Sequence, residues 1–154
     1  MRKIENVERN EWILFISGIV VSGLFAAFSA DVYEAFYKEP EFFNEMYNEG
    51  LYTIAAIIAL ASCWGVGILY YLVIGDIFKC DTWYYWLLSV VFALLLAPTV
   101  TFYKVDSFMQ ERNLDFLIQE RNFAIASIGV SFVLYLVVCL SLKGLSQDNS
   151  KIPF

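Results

Sequence analysis

The chain reads as an all-α integral membrane protein: four transmembrane helices in two hairpins, with short amphipathic helices in the two outer connections. Three observations predict this. Residues 12–30, 51–74, 83–103 and 123–142 form four runs without a single charge. At 19, 24, 21 and 20 residues, each matches the ~20 residues a helix needs to cross the hydrocarbon core. The composition is 60% hydrophobic and only 17% charged, whereas soluble domains carry about a quarter charged residues. Mean hydropathy is +0.62.

The elements follow in order. Residues 1–11 mix Arg2, Lys3 and Arg9 with Glu5, Glu8 and Glu11. The apolar run behind them exceeds the ~7–15 residues of a signal core, and cleavage after Ala30 would need a small residue where Phe28 stands. A retained first span is therefore expected. It carries Gly18, Ser22, Ala26 and Ala30 at spacing four, with Gly23 and Ala27 on a neighbouring stripe.

The first outer connection, residues 31–50, holds the acids Asp31, Glu34, Glu39, Glu41, Glu45 and Glu49 against one lysine. Such a surface attracts cations or a basic partner, or is simply solvated. Pro40 suits the first turn of a helix, where its missing N–H does no harm. Phe43, Met46, Tyr47, Gly50 and Leu51 then form an apolar face opposite Glu41, Glu45 and Glu49. Gly50 marks the turn into span two. That span carries Ala55, Ala59, Cys63 and Gly67 at spacing four, with Ala61 and Gly65 beside them. Lipid tails are as apolar as leucine, so helices there associate by close packing of small residues. The two stripes predict that spans one and two pack on each other.

A short middle loop contains Lys79 and Cys80. Span three opens on the aromatic belt Trp83-Tyr84-Tyr85-Trp86. It has few small residues, so a lipid-facing role or a bulky neighbour is expected. Pro98 predicts a kink or an end near its outer side. In the second connection Asp106 is expected to cap a helix starting near Ser107. There Gln110-Glu111-Arg112-Asn113 recurs nine residues on as Gln119-Glu120-Arg121-Asn122. Nine residues at ~100° each is about half a turn, so on one continuous helix the copies would face opposite ways and share no site. Ser127 and Ser131 give span four a weaker packing stripe. A shift of 65 aligns Phe43 with Phe108, Tyr70 with Tyr135 and Val73 with Val138, hinting at two related hairpins.

Orientation follows lysine and arginine. Six lie on the side of the termini and middle loop, and four on the other. This predicts a plasma (inner) membrane protein with both termini cytoplasmic. No connection is long enough for a separate soluble domain, so residues 1–154 are expected to form one four-pass domain.

The chemistry is narrow. A net charge of −6 without a basic patch argues against nucleic acid. There is no histidine, which removes the commonest general base and zinc ligand. No P-loop, Gly-x-Ser-x-Gly or calcium-loop spacing occurs. Three cysteines give no disulfide framework, and they are read as small packing residues. No catalytic residue, cofactor or metal site is expected, and no small-molecule substrate is evident. The expected partners are the lipid bilayer and either a second copy or another membrane protein. The leading expectation is a non-enzymatic protein acting through assembly, as a homo-oligomer or a complex subunit. Alternatives are an oligomeric cation-conducting pore that depolarises the membrane, and a protective protein against a pore-forming toxin.

Overall fold

The computed structural model describes residues 9–74, 82–143 and 145. The expectations for Arg2, Lys3, Lys79, Cys80 and Lys151 fall outside the described residues. Six α-helices and one π-helical turn make up the described chain, with no strand among those residues. They are α1 (Arg9–Ala27), α2 (Ser29–Phe36), α3 (Pro40–Asn48), α4 (Leu51–Ile68), α5 (Trp83–Glu111) and α6 (Leu117–Lys143). The π-helical turn, Leu69–Ile74, extends α4. Four helices are long and apolar enough to cross a membrane: α1, α4 with its π-helical turn, α5 and α6.

The first long connection, residues 31–50, is helical, as its pattern predicts. α1 runs almost directly into α2, broken only at Phe28, whose N–H still reaches the Leu24 carbonyl. Pro40 occupies the first turn of α3. Gly50 precedes α4 with φ +65°, a left-handed conformation that costs an L-residue about 1–2 kcal/mol. Gly50→Ala has open space for its methyl, so the expected loss of about 1–2 kcal/mol is backbone strain alone. A thermal melt indistinguishable from wild type would show that the turn tolerates the strain. The buried face of α3 differs from the expected one. Phe42 and Met46 point inward, while Tyr47 is exposed. The pattern of residues 43–51 extrapolates across Gly50, where the helix axis changes, so it mixes two elements.

α5 does not stop at Pro98. It runs unbroken for 29 residues from Trp83 to Glu111, with Pro98 on its buried side. Asp106 is accordingly mid-helix and caps nothing. The Leu/Val/Phe-rich surface expected to face outward is exposed at Leu87, Leu88, Val91, Phe92 and Leu95, but a second, buried face was not foreseen. Ala93, Ala97, Thr101, Val105 and Met109 recur at spacing four and are all buried. They form a slim face that lets α5 approach α4 and α6.

α6 is the hub of the bundle, packing against α5 most extensively and also against α1, α4 and α2. Its buried positions include Phe123, Ser127, Val130, Leu134, Val138 and Ser141, at three-four spacing. The serines are short enough to admit neighbours. Ser127 and Ser141 satisfy their hydroxyls by donating to the carbonyls of Phe123 and Val137. α5 and α6 run antiparallel, since Ser89 meets Tyr135 and Asp106 meets Glu120. α4 runs parallel to α6, since Cys63 meets Ser131 and Gly67 meets Val138.

Candidate functional site

The small-residue stripes of α1 and α4 do face the interior, but their partner is α6. A Cβ on Gly18 would overlap the Ser141 hydroxyl and stand 2.7 Å from its Cβ. A Cβ on Gly67 would stand 2.5 Å from Val138 Cγ1 and 3.1 Å from Leu142 Cδ1. Cys63 donates its thiol to the Ser131 carbonyl at 3.6 Å. Ala55 and Ala59 are buried on the same face, and Ala26 and Ala30 are half-buried. The expected pairing of the first two spans along both stripes is therefore corrected. α1 and α4 touch instead through a tryptophan: Trp64 Nε1–H donates to Ser22 Oγ at 3.0 Å, and Phe15 packs edge-on against its ring. The Trp64 ring also comes within 3.8 Å of where a Cβ on Gly18 would stand, so it fills the space between the two helices.

The second stripes point the other way. Gly23 and Gly65 have open space where a side chain would be, and Ala27 and Ala61 are exposed. Around them the surface is apolar, including Ile16, Val20, Leu24, Ile57 and Ile68. At the end of the bundle where α5 starts, an apolar cleft of about 440 Å³ opens between the π-helical turn and α5, lined by Val66, Leu69, Tyr70, Leu88 and Phe92. At its side Tyr135 donates to Ser89 at 2.7 Å, and Ser89 donates to the Trp86 carbonyl.

At the opposite end lies a cluster of rings. Phe123 packs on Tyr33, Phe42 and Tyr52, with centroids 5.1–5.9 Å apart. Phe25 and Phe43 extend the cluster. The Tyr33 hydroxyl is buried without a hydrogen-bond partner, and burial holds it above the usual phenol range, with Cys63 adding to the effect.

The six acids of the first connection do not converge. Asp31, Glu39 and Glu41 are exposed, Glu45 is half-buried, Glu34 pairs with Lys38 at 2.7 Å, and Glu49 pairs with Arg112 at 2.6 Å. The last pair ties the two connections together. Among the described residues no three acidic or cysteine side chains gather as a metal-holding group.

One acid outside that connection is different. Glu120, in the first turn of α6, is only 2% exposed, and its Oε2 has no hydrogen-bond partner. It lies just ahead of the uncharged run that starts at Phe123. Asp106 of α5 is within hydrogen-bonding reach of it, and Asp115 adds a further negative charge. Burial, then the Asp106 carboxylate, push the Glu120 carboxyl up to about 7. The α6 N-terminus favours the charged form by about 0.3–1 kcal/mol, too little to offset burial beside a like charge. The reason sequence reasoning missed this site is the connection itself. α5 and α6 are two helices joined by a tight turn, with Asn113 at φ +57°. The turn folds the two copies of Gln-Glu-Arg-Asn back on one another. Gln110 of the first copy donates to both Asp106 oxygens at 3.0 Å, and Glu120 of the second meets the same carboxylate. Asn113, a residue that tolerates the left-handed region, was the signal of that turn.

These features define an all-helical protein whose four long apolar helices suggest a membrane location. The chain matches no family model, no curated protein and no solved structure, so its class rests on its own residues.

Proposed function

We propose that this chain is a four-pass integral membrane protein of two hairpins that acts without catalysis, by assembling with a second copy or with another membrane protein. The six-to-four excess of lysine and arginine argues for a plasma (inner) membrane location with both termini cytoplasmic. The observation that carries the reading is the second pair of small-residue stripes. Internal packing uses Gly18 and Gly67, yet Gly23 and Gly65 face open space within an apolar surface. In lipid, small residues of that kind allow a neighbouring helix to approach closely.

The test is the native mass of the full chain in mild detergent, beside Gly23→Leu and Gly65→Leu. A closed oligomer or a co-purifying membrane protein, lost in either variant, supports the reading. A wild-type monomer that brings nothing with it counts against it. At neither position would an added Cβ meet another atom within 4 Å, so an unchanged thermal melt beside a changed mass separates lost assembly from misfolding.

A further inference from the structure

The acidic pair between α5 and α6 has a chemistry of its own, independent of how the protein assembles. Two carboxylates face each other at the end of the bundle where α5 ends and α6 begins. Asp106 is half-buried and already accepts two bonds from the Gln110 amide. Glu120 is almost wholly buried and has an oxygen that nothing donates to. Two ionised carboxylates at this distance repel, and a buried acceptor without a donor is costly. Something must neutralise the pair.

Basic side chains do not do so. Arg112 of the turn after α5 is held by Glu49, and Lys38 is held by Glu34 of α2. Arg121, the next residue along, and Lys104 of α5 are exposed. From α2 and α4 the phenols at this end are Tyr33 and Tyr52, whose rings pack on Phe123, while the α2 carboxylates are Asp31, which is exposed, and Glu34, which Lys38 holds. From the connection comes only Asp115, which worsens the repulsion. A metal ion is poorly served, because no group of three ligating side chains forms among the described residues. A proton needs only the two carboxylates present. It converts two repelling acceptors into a donor and an acceptor.

We propose that Glu120 and Asp106 form a proton-binding site. One proton is held between the two carboxylates, Gln110 fixes the acceptor, and the α5–α6 end of the bundle packs tightly only while the site is protonated. Glu120 carries the proton and donates to Asp106. Deprotonation releases the proton to solvent and leaves two adjacent negative charges. The folded chain holds this proton more tightly than the unfolded chain does. The stability this site contributes is therefore fully present below the ordinary 4.5 and is lost as pH rises to about 7.

The experiment is infrared spectroscopy of the full chain in detergent, titrated from about pH 5 to about pH 9, with thermal melts at each step. At about pH 6 exposed carboxyls are ionised, so a remaining protonated-carboxyl band reports a perturbed group. The wild type should show that band and lose it near pH 7. Glu120→Gln, a neutral amide of the same shape, should lack it and lose the pH dependence of the melt. Asp106→Asn removes the neighbouring charge and should lower the midpoint by about one unit or more. The proposal is overturned if the wild type has no such band, if the band survives in Glu120→Gln, or if Asp106→Asn leaves the midpoint unchanged. Loss of the band on adding sodium or potassium chloride at constant pH would also overturn it, by assigning the site to a cation. Should Glu120→Gln not fold, the wild-type and Asp106→Asn titrations decide the matter alone.

Discussion

Gly18→Leu is expected to lower the melting temperature of the detergent-solubilised chain sharply, while Gly23→Leu leaves it unchanged. The two glycines are five residues apart on one helix and differ in what they face. Any Cβ at position 18 collides with the Ser141 side chain, and the Ser141 Cβ, 2.7 Å away, is fixed to the α6 backbone. It cannot rotate aside, so α1 must lift off α6. Overpacking of this kind costs about 1–3 kcal/mol or more, and the upper end applies where backbone has to move. Gly67→Leu should behave similarly, because Val138 is β-branched and has few rotamers to yield with. The control matters for function. A change in assembly caused by Gly18→Leu reports a damaged bundle, whereas one caused by Gly23→Leu reports a lost contact between chains. Equal melts for Gly18→Leu and wild type would show that the α1–α6 contact is not close.

Phe123→Ala is expected to have the other large effect, a loss of about 3–5 kcal/mol. Phe123 is fully buried and touches Tyr33 of α2, Phe42 of α3 and Tyr52 of α4. Among the described residues no other ring of α6 packs on rings from all three of those elements. Truncation leaves a cavity that the neighbours cannot fill without moving α3. The Arg112–Glu49 pair does not compensate. Its arginine is half-exposed, and such pairs contribute about 0–1 kcal/mol. The readouts are a thermal melt and the rate of limited proteolysis between α2 and α3. Faster cleavage at residues 37–39 with a lowered melt is the expected outcome. A lowered melt with unchanged cleavage would place the anchoring of α3 elsewhere.

Much of the architecture was legible in the sequence because single helices are set by local properties. Charge-free runs of suitable length, Pro40 at a helix start and Gly50 at a turn act within a few residues of themselves. So do the aromatic belt at Trp83 and the stretch of acids at residues 31–49. Each of these can be read without knowing what lies across the bundle.

Partner choice was not legible in that way. A stripe of small residues shows that a helix can be approached closely, but not by which neighbour. Gly18, Ser22, Cys63 and Gly67 looked like two halves of one interface, and three of them pack on α6 instead. Ser22 meets the other stripe's helix through Trp64, whose ring also borders Gly18. The slim face of α5 escaped notice because Thr101, Val105 and Met109 are not small, although their placement on one face is what buries them.

The acidic pair shows the same division. The sequence by itself determined that the chain has four long apolar helices, a strongly acidic connection at residues 31–50 and almost no reactive side chains. Only the tertiary structure decided that Asp106 lies mid-helix and that a turn at Asn113 brings Glu120 against it. Spacing on a helix predicts neighbours only while the helix continues. One residue with positive φ reverses the chain, and two groups fourteen positions apart then share a buried contact that no periodicity contains.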